Sequence, residues 1–300
     1  MSTTARARAT PAAMMTAAIR AVRSLAARRP PWFALLVILV VLAMALAPDL
    51  FTAQDPNLQS LRARFRPPFW LEGGGLDFPL GTDGLGRDVL ARIVHGTGVS
   101  LLAAALALLV GAGIGGIVGL VAGYVGGWID SVLMRLADSM LAFPMILLAF
   151  LLAVTIGPSL GTVIVAISVV IWARFARVIR GEVLSLRERN FVKLARIAGC
   201  GTGRIIWVHI LPNVFNTLVV LLTLQLGWVI IVESSLSFMG AGIPPPLPTW
   251  GSMIAEGRSS LTRAWWVSAM PGAALMLSVL SFNLIGDWLR DLLDPKLRQD

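Results

Sequence analysis

Five long runs without a charged residue govern what this chain can become: residues 30–48, 93–129, 139–173, 205–232 and 264–286. Each is close to, or beyond, the roughly 20 residues a helix needs to cross a bilayer. A charge at the centre of such a helix costs about 2.5–3.5 kcal/mol on insertion scales, which accounts for the exclusion. Only 14% of the 300 residues are charged and 57% are hydrophobic, whereas a soluble domain carries about 25% charged residues. The expected fold is therefore an all-α membrane protein.

The third run sets the span count. As one helix its 35 residues would reach about 52 Å, well past a hydrocarbon core of about 30 Å. Gly157 and Pro158 near its middle divide it into two helices joined by a turn, and six transmembrane helices result. With both termini cytoplasmic, 18 of the 25 basic residues fall inside, eight of them within 174–204. An odd number of spans would strand those eight outside. The expected organisation is a basic cytoplasmic segment over 1–31, a six-span domain over 32–290 with an inner loop at about 181–213, and a cytoplasmic tail over 291–300. The net charge of +9 then follows from topology, and no basic patch on a soluble fold points to nucleic acid. Ala43, Ala45 and Ala47 resemble a signal cleavage site, but the first span is expected to remain, because the topology of the later spans depends on it.

Several features read as packing or anchoring. Trp32, Trp128, Trp172, Trp265, Trp266 and Trp288 fall near span ends, where an indole suits the lipid headgroup zone. Gly111, Gly115, Gly119 and Gly123 recur at i+4 and form one smooth helical face, a seam for close helix approach. The sequence leaves open whether the other side of that seam is this chain or a partner. Two outer loops are long: 49–92, and 233–263, whose proline cluster before Trp250 suggests a stiff structured loop rather than a plain connector, the simpler alternative.

The inner loop carries the mechanistic signal. Asn190 can cap a helix and Gly199 suits the left-handed position past its end. Between them Phe191, Leu194, Ala195 and Ala198 share one face, with Lys193 and Arg196 directed elsewhere. A second helical pattern starts at Arg204, and Leu211-Pro212 marks a bend or the start of span five. Two short helices strapped between spans suit docking on a cytoplasmic partner.

These residues resemble a known family. Ala195 with Gly199, followed by His209-Ile210-Leu211-Pro212-Asn213, is similar to the cytoplasmic signature of permeases in bacterial ATP-binding-cassette importers. Gly81-Thr82-Asp83 with Gly86-Arg87-Asp88, and Leu236-Ser237-Phe238-Met239-Gly240 with Trp250-Gly251, narrow the likeness to the second permease of dipeptide, oligopeptide and nickel importers. The resemblance implies the type I importer architecture and a coupling helix seated on an ATPase. It also implies a related permease completing the pore as a heterodimer, two ATPase subunits that use ATP and Mg, and an extracytoplasmic binding protein. Peptides are the substrate class it favours, with nickel or another small solute as the alternative. One departure is plain: where the family signature opens Glu-Ala-Ala, this chain has Lys193-Leu194-Ala195.

No catalytic constellation accompanies these motifs. Neither of the two lysines, Lys193 and Lys296, lies in a Gly-Lys-Ser/Thr phosphate loop, so ATP hydrolysis is expected in partner subunits and no cofactor is expected on this chain. His95 and His209 lack ligand-spaced companions, and no metal site is expected. Glu233 beside Ser234, Ser235 and Ser237 has no histidine near in sequence. An ion-driven carrier would place ionisable groups within its spans; the six predicted spans have none in their central portions.

Overall fold

The computed structural model describes residues 30–293. The basic N-terminal segment up to residue 29 and the tail from residue 294 lie outside the described residues. The helices are α1 (Trp32–Leu46), α2 (Val89–Val125), α3 (Gly127–Ala142), α4 (Met145–Ile156), α5 (Leu160–Arg187), α6 (Asn190–Ile197), α7 (Leu211–Phe238), α8 (Trp250–Gly257) and α9 (Trp266–Leu293). A helical turn at Thr202–Arg204 and a π-helical stretch at Ile205–Ile210 lead into α7. The fold is all-helical. The sole strand-like pairing among the described residues is an isolated antiparallel bridge between Thr82 and Asp88.

Local chemistry fixes most boundaries. Asp88 accepts N–H bonds from Leu90 and Ala91 to start α2, and Ser159 accepts one from Thr162 to start α5. Thr249 and Ser252 form a reciprocal capping box at the head of α8. The π-helical stretch lies just before Pro212, which has no N–H with which to continue an ordinary helical ladder.

Among the described residues, four helices are long and apolar enough to cross a membrane alone: α2, α5, the joined Thr202–Phe238 helix and α9. The α3–α4 pair makes a fifth if its 90° bend is one broken span, and the 15-residue α1 is shorter. The break at Gly157-Pro158 falls where the sequence places it. The 90° bend upstream was not foreseen: Pro144 holds Phe143 in an extended conformation and ends α3.

Neighbouring residues reveal the helix directions. From Gly111 to Gly123, α2 meets α5 in step from Ser168 to Val183, so the two run parallel. Gly227 lies against Asn283 and Gly286 against Leu224, so α7 and α9 run antiparallel. The end of α7 and the starts of α2 and α9 share one end of the bundle, where Gly251 abuts Ser234 and Trp266 Nε1 donates to the Thr82 carbonyl. The segment 190–212 occupies the opposite end. Alanine, valine and isoleucine side chains of α2, α5 and α7 fill the core between.

Two of the six predicted indole anchors are instead core residues. Trp172 packs among Ala137, Ala173 and Ala176, and Trp266 packs beside Val89 and Met253. Trp32, Trp128 and Trp265 are exposed.

Candidate functional site

The 190–212 segment begins one residue before the sequence puts it. The cap of α6 is Arg189, extended at φ −74°, and no side chain caps the helix; Asn190 is its first residue. The Arg189 carbonyl receives the Val192 and Lys193 N–H groups, and that sets the earlier start. The far end matches expectation. Gly199 stands at φ +79°, the Cys200 N–H reaches the Ala195 carbonyl and the Gly199 N–H reaches the Arg196 carbonyl. That pair of bonds is a Schellman closure, which needs a left-handed residue at this point.

The face read from sequence divides in two. Val192 and Ala195 are buried in a cluster with Ile179, Val183, Leu186, Ile205, Ile210 and Val214. Phe191, Leu194 and Ile197 point away and are 37%, 64% and 82% exposed, with Ala198 beside them. Sequence reasoning missed Val192 as the anchor and Ile197 as part of the ridge, although Ile197 follows Leu194 by three. Leu211 packs half-buried against the same cluster, and Pro212 sits in the first turn of α7. Lys193 Nζ lies 3.2 Å from Glu188, and the Arg196 guanidinium stands 5.8 Å from the Tyr124 ring centre. α6 is thus an apolar ridge fixed to the bundle by its other side.

The glycine seam belongs within the chain. A Cβ at Gly115 would overlap the Trp172 carbonyl oxygen; at Gly119 it would stand 2.6 Å from the Ala176 oxygen, and at Gly123 2.8 Å from Val183 Cβ. At Gly111 it would overlap Ile171. α2 and α5 are therefore in backbone contact over more than three turns.

At the opposite end the outer-loop motif folds into a knot. Gly81 and Gly86 take φ +80° and +72°, and a Cβ at Gly86 would overlap the Ser60 carbonyl. The buried Thr82 hydroxyl donates to the Ala63 carbonyl. Asp83 accepts from the Leu85 and Arg87 N–H groups, from Arg87 Nε at 2.7 Å and from Arg92 Nη1 at 2.7 Å. Arg87 and Arg92 both reach Glu256 on α8 at 2.6 Å. Burial pushes the Asp88 carboxyl above its ordinary range, and the bonds from Leu90 and Ala91 pull it back in part. The sequence signalled residues 81–88 but not Arg92 or Glu256, whose pairing spans more than 160 positions.

Arg174 and Glu233 place ionisable groups within helices of the bundle, where the sequence puts loops. α5 runs unbroken to Arg187, so Arg174, placed by sequence in the inner loop, is a mid-helix residue. Its Nη1 donates to Gln225 Oε1 at 3.1 Å, and its guanidinium lies 5.4 Å from the Trp228 ring centre. Glu233, fully buried in α7, accepts from the Ser237 hydroxyl at 2.9 Å and the Ser234 hydroxyl at 3.3 Å. Among the described residues no three His, Cys, Asp or Glu side chains cluster as metal ligands would.

Membrane-length helices with a strapped helix at one end and a locked loop at the other define a polytopic helical membrane protein. Residues 115–299 match the family described as "binding-protein-dependent transport system inner membrane component", and the chain belongs to that family. It is accordingly an inner-membrane component of a transport system. It is 43% identical over 265 residues to a protein of Brucella abortus provisionally named a peptide transport system permease, covering 88% of this chain and 87% of that protein. It is 40% identical to the di/tripeptide transport system permease DppC of Pseudomonas aeruginosa, over 88% of this chain and 87% of the relative. The dipeptide transport system permease DppC of Escherichia coli K12 is also 40% identical, with 88% of each covered.

Proposed function

We propose that this chain is the second permease subunit of an ATP-driven importer of di- or oligopeptides, and that α6 is its coupling helix. The observation that carries the coupling role is the ridge of Phe191, Leu194 and Ile197, presented outward on a helix anchored by Val192 and Ala195. An apolar ridge on a fixed helix is suited to a groove on a partner, read at i, i+3 and i+6 or i+7. Nucleotide-driven closure of two ATPases would displace α6, and α5 and α7, which flank it, would carry the displacement into the membrane. ATP and Mg belong to those partners in this reading. A related permease completes the pore, and a binding protein delivers substrate at the end that holds the 81–92 knot. The 190–212 end then faces the cytoplasm, and six spans result if α1 and the broken α3–α4 pair each cross the membrane. The peptide substrate rests on the relatives' names.

Lys193 does not disturb the ridge, because it turns aside to Glu188. Such an exposed pair contributes at most about 1 kcal/mol. The test is Leu194→Asp with Ile197→Asp. The variant should insert normally yet lose its co-purifying ATPase and its peptide uptake. Full uptake by that variant would refute the coupling assignment.

A further inference from the structure

Arg174 and Gln225 occupy the same place in two helices of equal length. Each stands fourteen residues from the start of a 28-residue helix, Leu160–Arg187 for one and Leu211–Phe238 for the other. The guanidinium is therefore held well inside both α5 and α7, away from their ends, by one neutral amide at 3.1 Å and one indole at 5.4 Å. Other arginines of α5 have acid partners: Arg177 pairs with Asp138, and Arg180 with Asp130 at 2.6 Å. Arg174 has no carboxylate partner among the described residues. Gln225 is buried, and its oxygen accepts from the cation and directs it.

A cation facing hydrocarbon at the centre of a bilayer costs about 2.5 kcal/mol or more, so an arginine within a span favours a polar partner. Arg174 is half-buried in this chain, so part of the side chain is left open to a polar partner. Val178, one turn further along α5, is exposed, and a Cβ at Gly181 would meet nothing within 4 Å. The open face thus continues toward the 190–212 end. A planar guanidinium with two or more free N–H groups is a carboxylate receptor.

We infer that Arg174, oriented by Gln225 and Trp228, is a carboxylate-binding station on the translocation path, where it takes the C-terminal carboxylate of a passing peptide. The inference rests on the peptide-importer reading above. The same chemistry would suit a phospholipid headgroup, and the experiment separates the two.

The whole transporter, purified through this chain and supplied with its binding protein, is reconstituted in phosphatidylcholine vesicles with and without phosphatidylglycerol. Uptake of radiolabelled dialanine is measured per ATP hydrolysed. Loss of one charge-assisted carboxylate contact should lower uptake per ATP by about tenfold in Arg174→Gln, with Arg174→Lys recovering most of it in both lipids. Uptake per ATP that is unchanged in Arg174→Gln overturns the inference. So does a defect confined to phosphatidylglycerol vesicles, which would assign the cation to lipid, or loss of the co-purifying subunits, which would make Arg174 an assembly contact. Failure of the unaltered transporter to accumulate dialanine is a different result: it removes the peptide reading, and this station with it.

Discussion

The two ends of the bundle are built on opposite terms. At the 81–92 end, Asp83, Arg87, Arg92 and Glu256 neutralise one another, and helix caps and close-packed glycines leave little that could be rearranged. At the other end, α6 is attached through two small buried residues and turns its bulky apolar side chains outward. Charges paired within the chain close one end on itself, whereas an outward apolar ridge at the other suits the docking proposed above. Between them runs the α2–α5 seam, continuous enough to join the two ends mechanically.

Breaking the seam should have the largest effect. Gly115→Leu with Gly119→Leu would drive side chains into the Trp172 and Ala176 carbonyls, and neither helix can yield locally. Folded, monodisperse protein should be lost from detergent extracts. Gly113→Leu and Gly116→Leu on the open side of α2 should purify normally, since a Cβ there meets nothing within 4 Å. Equal behaviour of the two pairs would show that the seam is not what joins the ends.

The rigid end is tested next by Arg92→Leu. Removing a guanidinium that is 3% exposed leaves Asp83 and Glu256 competing for Arg87 alone. Breaking a buried pair on one side costs about 3–5 kcal/mol, so the thermal midpoint of the solubilised protein should fall clearly. A smaller loss is expected at the open end from Gly199→Ala. A side chain at φ +79° is strained by about 1–2 kcal/mol, and the Schellman closure of α6 should fray.

The contrast between the ends also explains which parts were legible in the sequence. Uncharged runs report burial in lipid directly, so the all-helical membrane class was plain, as was the glycine face. Gly199 was legible because a left-handed position is a property of one residue. Boundaries marked only by charge mislead: Arg174 reads as the start of a loop, yet α5 continues through it, and Gln225 and Trp228 on another helix receive the cation. Arg92 and Glu256 were equally invisible, since pairing across the fold leaves no local pattern. Spacing alone marks only part of the ridge. Ala195 shares the helical spacing of Leu194, but only the packed cluster decides which of them turns inward.

The smallest stability effect should come from the ridge itself, and it is the sharpest test of the comparison. Leu194 and Ile197 touch little in this chain, so changing both to serine should shift the thermal midpoint by no more than about 0.5 kcal/mol would. Any such shift should favour the solubilised chain, because exposed apolar surface is a liability in water. If α6 is finished by a partner, the same pair must matter as soon as that partner is present: ATPase retention should fall while the isolated permease melts unchanged. Val192→Ser makes the opposite substitution, on the buried side of the same helix. It should destabilise the isolated chain, because a hydroxyl would replace a packed methyl pair in the cluster with Ile179 and Ile210. A ridge variant that melts early, or an anchor variant that does not, would mean that the two sides of α6 have been assigned the wrong way round.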